Sequence, residues 1–173
     1  MRKTKKLTVC AMLSALGVAI LYLGNFMEIL DLSVSCAASL IVVFCMEELG
    51  TKYSLATYAV ISVLSFILLP QKWISVYFIL FFGIMPITKH VYEKTGKLFA
   101  WILKIVTFNI EIFLFYFVAE KLDFFEQSES SLPYLLALLA MANVVFILAD
   151  VLYDKLSVIY RLKYQSRIRK FLK

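Results

Sequence analysis

Two apolar stretches of this sequence hold polar and charged side chains at spacings that place them on one helix face. Lys104, Thr107 and Glu111 follow each other at i, i+3 and i+7, and a helix brings such positions to one face. A second set shares a face of the last apolar stretch: Asn143, Asp150 and Asp154. An ionisable group at membrane depth costs about 2.5 to 3.5 kcal/mol and usually faces a partner or a cavity. Any chemistry is therefore expected at these positions.

The depths of these residues match between the two stretches. Counted from inner ends at Leu98 and Lys155, Lys104 and Asp150 lie about 8 to 9 Å into the membrane, and Glu111 and Asn143 about 18 to 20 Å. We predict an ion pair between Lys104 and Asp150, and a polar pairing of Glu111 with Asn143. Such contacts either hold the bundle, at about 1 kcal/mol or less each, or form a functional polar site.

The residues of common catalytic and metal sites are scarce. His90 is the single histidine, which excludes a histidine-rich metal site. No C-x-x-C spacing joins the three cysteines, Cys10, Cys36 and Cys45. Nucleophile-elbow and nucleotide-binding motifs are absent from the sequence, and the adjacent Glu47 and Glu48 are interpreted as part of a solvated loop. We expect neither an enzyme nor a cofactor.

The elements that must position these side chains are transmembrane helices. Hydrophobic residues make up 62% of the 173 positions and charged residues 17%, with a mean hydropathy of +0.87, far from the composition of soluble domains. The pattern predicts an all-α integral membrane protein, one compact domain over 1–173 with about six transmembrane helices. The predicted spans are 7–27, 32–46, 53–69, 73–88, 99–119 and 132–153. Gly83 and Pro86 predict a kink in the fourth span.

The distribution of positive charge predicts the orientation. With both termini in the cytoplasm, the outer side holds only Lys72 and Lys121 of the 18 Lys and Arg residues, and Lys104 lies within a span. The inner side includes the loop 89–97 and a basic C-terminal tail of about 156–173, which favours contact with anionic membrane lipids. This explains the pI of 9.2 without nucleic-acid binding.

Small residues recur along the first span. Ala11, Ala15 and Ala19 lie four residues apart, so one helix face offers a close approach to another backbone. Packing within the bundle is the ordinary explanation for such a face, and docking of a different membrane subunit is the alternative.

The start of the chain resembles a family of membrane transport proteins. The basic N-terminus, the KLT of residues 6–8 and the AMLSALG of residues 11–17 look like the opening of the substrate-binding S components of energy-coupling factor (ECF) transporters. The resemblance implies that Ala11 and Ala15, as an A-x-x-x-A pattern, contact a transmembrane T component. It further implies two separate ATPase subunits, a vitamin or micronutrient as ligand, and a bacterial cell membrane.

The resemblance and the residue pattern together suggest a ligand pocket that opens outward. The predicted substrate-binding residues are Asn25, Glu28, Asp31, Glu111, Tyr116 and Asn143. Acidic groups there favour a cationic or hydrogen-bond-donating ligand.

Two further hypotheses stay open beside the transporter subunit. A noncatalytic membrane scaffold or assembly subunit of an envelope complex would have a protein partner and no ligand. A channel or proton-coupled carrier would use Glu111, Lys104 and Asp150 as a relay.

Overall fold

The computed structural model describes residues 3–26, 30–93, 96–121 and 132–165, and every regular element within these ranges is helical. The α-helices are α1 (Lys3–Gly24), α2 (Asp31–Leu49), α3 (Thr51–Leu68), α4 (Lys72–Tyr77), α5 (Met85–Tyr92), α6 (Lys97–Lys121) and α7 (Leu132–Ile159). Two short π-helical segments, Phe78–Phe82 and Tyr160–Tyr164, follow α4 and α7.

Five helical stretches among the described residues are long and apolar enough to cross a membrane. They are Lys3–Gly24, Asp31–Leu49, Thr51–Leu68, Lys72–Tyr92 and Leu98–Phe117. The predicted all-α class, with several helices long and apolar enough to span a membrane, is therefore confirmed for the described residues. A sixth crossing by the 28-residue α7 and the cytoplasmic placement of both termini stay predictions.

The first three helices pack closely, with α1 against both α2 and α3. Glycines on α1 allow this approach: a Cβ on Gly17 would lie 2.6 Å from Ile61 Cδ1 of α3, and one on Gly24 would lie 2.8 Å from Val34 Cβ of α2. Aliphatic side chains fill the space between these helices, among them Leu21, Val42 and Ile61. This group of helices forms the larger core of the molecule.

The fourth span is interrupted at the position predicted for a kink. In the π segment, Gly83 N donates to Phe78 O at 2.7 Å, and Tyr58 OH of α3 donates to Ile79 O at 2.8 Å. A side chain at Gly83 would meet Phe78 O at 2.8 Å, so only glycine fits. Helix α5 then starts with Pro86 in its first turn, where the missing N–H costs nothing. The span ends at Tyr92 rather than at residue 88 as predicted.

Helices α6 and α7 pack against this interrupted span through aromatic rings. Phe108 of α6 and Phe146 of α7 stack with ring centroids 4.3 Å apart, and Phe82 and Met85 join the same buried cluster. Much of the remaining surface of α6 is exposed. The small contact area leaves room for polar side chains between α5, α6 and α7.

At one end of the bundle, the first turns of α1 contact α3, and the residues that follow α7 contact α2. Lys6 Nζ lies 5.3 Å from the centroid of the Tyr53 ring at the start of α3, and Arg161 contacts Glu47 at the end of α2. We call this the basic end of the bundle.

Candidate functional site

A buried ion cluster joins α5, α6 and α7. The side chain of Asp150 on α7 is 2% exposed, and both of its oxygens lie 3.1 Å from Lys104 Nζ of α6. Lys89 Nζ of α5 lies 2.9 Å from Asp150 Oδ1 and donates to the main-chain oxygen of Asp150 at 2.8 Å. Both lysine side chains are less than a tenth exposed. One buried carboxylate therefore binds two buried ammonium groups from two other helices.

Two more carboxylates lie at the open side of the cluster. Asp154 Oδ1 is 2.8 Å from Lys89 Nζ, and Glu93 Oε1 is 3.5 Å from Lys104 Nζ. Their side chains are 57% and 49% exposed. Because Lys89 and Glu93, like Asp150 and Asp154, are four residues apart, each pair lies on one face of its helix. The cluster thus holds two ammonium groups and three carboxylates, and it opens towards the basic end.

A narrow cleft continues from the buried ions along α6. Lys104, Thr107 and Glu111 line it, as their shared face predicts. Across the cleft, Tyr92 OH and Thr107 Oγ1 are hydrogen bonded at 2.8 Å. The enclosed space is about 10 Å³, the volume that one water molecule needs. Ligand pockets for small organic molecules are typically about 300 Å³ or larger.

The pairing predicted for Glu111 and Asn143 differs from the observed one. The side-chain amide of Asn143 faces that of Asn109, with N–O distances of 3.4 and 3.5 Å, and it donates to Leu139 O at 2.8 Å. Counting residues placed Asn143 of α7 at nearly the level of its observed partner on α6. It did not identify which face of α6 Asn143 contacts, because Asn109 and Glu111 lie about 200° apart around that helix. The Lys104 to Asp150 contact, by contrast, is present as predicted.

The other predicted substrate-binding residues contact separate parts of the described chain. Asn25 Oδ1 accepts a hydrogen bond of 3.1 Å from Gln71 N and so ties the end of α1 to the start of α4. Asp31 begins α2, and Tyr116 is 43% exposed on α6. Glu28 lies outside the described residues. The described residues of this set do not surround a common ligand-sized pocket.

The predicted docking residues lie on the outer surface of the bundle. Ala11, Ala15 and Ala19 are all exposed, while the opposite face of α1 is buried through residues such as Ser14 and Leu21. Packing within the described bundle therefore does not account for the alanine spacing.

The structure contains a second polar contact, at the basic end, that the sequence pattern did not predict. Arg161 donates to both carboxylate oxygens of Glu47, at 2.8 Å from Nε and 2.6 Å from Nη2. Tyr160 OH donates to Glu48 Oε1 at 2.9 Å. Glu47 and Glu48 are thus partners of the end of α7 and not only a solvated loop. The hydrogen bond to Glu47 raises the pKa of Arg161 above its ordinary value.

The comparisons with known proteins do not identify a function, so the function must be inferred from the fold and the polar site. No family model, no curated protein and no solved structure matches this chain. The class that the fold defines is a multi-pass α-helical membrane protein, and its described polar site is an ion cluster beside a water-sized cleft.

Proposed function

We propose that this protein is a noncatalytic membrane subunit that docks on another membrane protein through the exposed face of α1. The observation that carries the proposal is the exposure of Ala11, Ala15 and Ala19 on a helix whose other face is packed into the bundle. The particular form that we propose is the substrate-binding S component of an ECF-type vitamin or micronutrient transporter.

The physical chemistry of membrane helices supports docking at this face. Lipid chains are as apolar as leucine, so helices associate by close van der Waals contact, which small side chains permit. The alanines form a shallow strip, and the exposed Met12 and Leu16 lie beside it. A partner helix with its own small residues would bury both the strip and these larger side chains.

In the S-component form, the partners are a transmembrane T component and two ATPases, and the cargo is a small molecule. The resemblance of residues 6–17 to that family supports this form, with Ala11 and Ala15 at the expected contact. The chain would supply binding and docking, and the ATPases would supply the energy. The protein would then reside in a bacterial cell membrane.

A scaffold or assembly subunit of an envelope complex is the second candidate. The cleft of about 10 Å³ favours it, because this volume suits a water molecule and not a vitamin. In this form the same face of α1 binds a protein partner, and no small molecule is carried.

The experiment that tests docking is a pull-down of the tagged protein from its native membrane in mild detergent, with mass spectrometry of proteins and small molecules. Ala15→Leu adds bulk to the docking strip, and Ala56→Leu adds the same bulk at an exposed position of α3. We expect a stoichiometric membrane partner with the unchanged protein and with Ala56→Leu, and its loss with Ala15→Leu. Equal recovery from all three would refute docking through α1.

The identity of what is recovered distinguishes the two forms. A T component with two ATPases and a bound small molecule would establish the transporter subunit. A different membrane complex without any small molecule would establish the scaffold.

A further inference from the structure

Glu111 holds a carboxyl group inside a span but apart from the ion cluster. It lies on α6, half-buried, and lines the cleft with Lys104 and Thr107. Among the described residues, the salt bridges of the cluster use Glu93, Asp150 and Asp154, and none uses Glu111. The carboxyl of Glu111 is therefore available for other chemistry.

The groups around Glu111 do not supply it with a positive charge of its own. The titratable groups that face it or line the same cleft come from four helices: Tyr58 of α3, Lys89 and Tyr92 of α5, Lys104 of α6 and Asp150 of α7. Glu93 lies just beyond, at the end of α5. Both ammonium groups are already matched by three carboxylates. An unpaired carboxylate at such a position is unfavourable, and binding a proton removes its charge.

Polar groups lie along the cleft between Glu111 and the ion cluster, which carries the exposed carboxylates. Glu111 and Lys104 are seven residues apart, about 10 Å along the helix axis. Between them lie the hydrogen-bonded hydroxyls of Thr107 and Tyr92 and the space for one water molecule. Beyond Lys104, the half-exposed Asp154 and Glu93 open towards the basic end.

We propose that Glu111 is a proton-exchange site that communicates with the basic end of the bundle through this cleft. The acid form of Glu111 gives its proton to a water molecule in the cleft, which passes a proton on towards Asp154 or Glu93. The carboxylate that remains is reprotonated by the same path in reverse, so no other reactant is needed. Partner docking uses α1 and proton exchange uses α6, and the two proposals fail separately.

A hydrophobic carbodiimide tests the site directly, because it adds to the acid form of a carboxyl group and leaves a stable acylurea. The unchanged protein in liposomes is treated across mildly acidic to mildly alkaline pH, and the labelled peptides are found by mass spectrometry. We expect an adduct on Glu111 that decreases as pH rises, and none on Asp150, whose carboxyl oxygens contact Lys89 and Lys104 inside the ion cluster. Glu111→Gln must lose the adduct.

The path is tested by following the carboxyl stretch of Glu111 with time-resolved infrared spectroscopy after a rapid pH jump, because carbodiimide labelling is slower than proton exchange. Thr107→Val removes one of the two cleft hydroxyls at nearly constant volume, and we expect the change in protonation of Glu111 to slow by about tenfold or more. Thr57→Val removes a buried hydroxyl of α3 that bonds to Cys45 outside the cleft, and it should respond as the unchanged protein does.

The result that overturns the site is no adduct on Glu111 at any pH, or an adduct independent of pH. An unchanged rate in Thr107→Val overturns the path. Because the labelling pattern is read in the unchanged protein, misfolding of a variant cannot imitate the result that overturns the site.

Discussion

The carboxylate of Asp150 has two partners, and the two lysines depend on it to different degrees. Lys89 also bonds to Asp154 and to the main-chain oxygen of Asp150. Lys104 has only the more distant Glu93 as a second carboxylate among the described residues. The contribution of each charged side chain to stability therefore depends on which partner charges remain unpaired when it is removed.

Asp150→Asn should destabilise the protein more than Lys104→Met does. The first substitution leaves two buried ammonium groups short of a carboxylate, at a cost of about 3 kcal/mol or more. The second leaves Asp150 paired with Lys89 and should cost about 1 kcal/mol. Thermal unfolding in detergent measures both effects. Equal midpoints for the two variants would contradict the shared role of Asp150.

Part of this cluster could be predicted from the sequence, since charged residues within apolar runs at matching depth are few. Lys104 and Asp150 met that criterion. Lys89 was missed because the predicted fourth span stopped at residue 88, which left the lysine in a loop, whereas α5 continues to Tyr92. Asn143 was given the wrong partner because residue counting fixes depth and not the rotation of a helix about its axis.

At the scale of the helices, two glycines of α1 allow its close packing, and the side chains that face them differ in flexibility. The atom nearest to Gly17 is the terminal methyl of Ile61, which can rotate away. Gly24 faces Val34, whose Cβ and both methyls crowd the position, and a β-branched side chain has little freedom at χ1.

Gly24→Ala should therefore destabilise the protein by about 1 to 3 kcal/mol, whereas Gly17→Ala should be nearly neutral. In the second variant, the better helix propensity of alanine, up to about 1 kcal/mol, offsets a small shift of Ile61. Unfolding of the two single variants side by side provides the measurement. A larger loss at Gly17 would show that the packing of α1 against α3 is the more rigid of the two.

The contact between α7 and α2 at the basic end should be weak and sensitive to salt. The side chain of Arg161 is 57% exposed, and exposed ion pairs contribute about 0.2 to 1 kcal/mol. A double-mutant cycle of Arg161→Gln and Glu47→Gln should give a coupling energy in this range at low ionic strength and less at high. A coupling energy unaffected by salt would contradict this view of the contact.

The helices themselves were largely predictable, because membrane thickness imposes their length and apolarity. The helical ends were less so: α2 runs over Asp31–Leu49 against a prediction of 32–46. Its terminal Glu47 and Glu48 bind Arg161 and Tyr160, a tertiary contact that a local pattern does not reveal.

For the whole molecule, the distribution of Lys and Arg predicts that the basic end faces the cytoplasm. Phe26 follows α1 and Lys52 lies in the first turn of α3, and both are exposed. In right-side-out vesicles, Phe26→Cys should react with a membrane-impermeant maleimide and Lys52→Cys should react only after permeabilisation. The native cysteines are buried or half-buried, so the unchanged protein sets the background. The reverse pattern would invert the orientation.

The three-helix ion cluster also imposes an order on biosynthesis. Lys89 and Lys104 leave the ribosome before Asp150, which follows Lys104 after 46 residues, a delay of several seconds at about 5 to 20 residues per second. During that interval the nascent chain holds two lysines without their shared carboxylate. A chain truncated before α7 would keep them so, and membrane quality-control proteases could recognise that exposed charge as the mark of an unfinished protein.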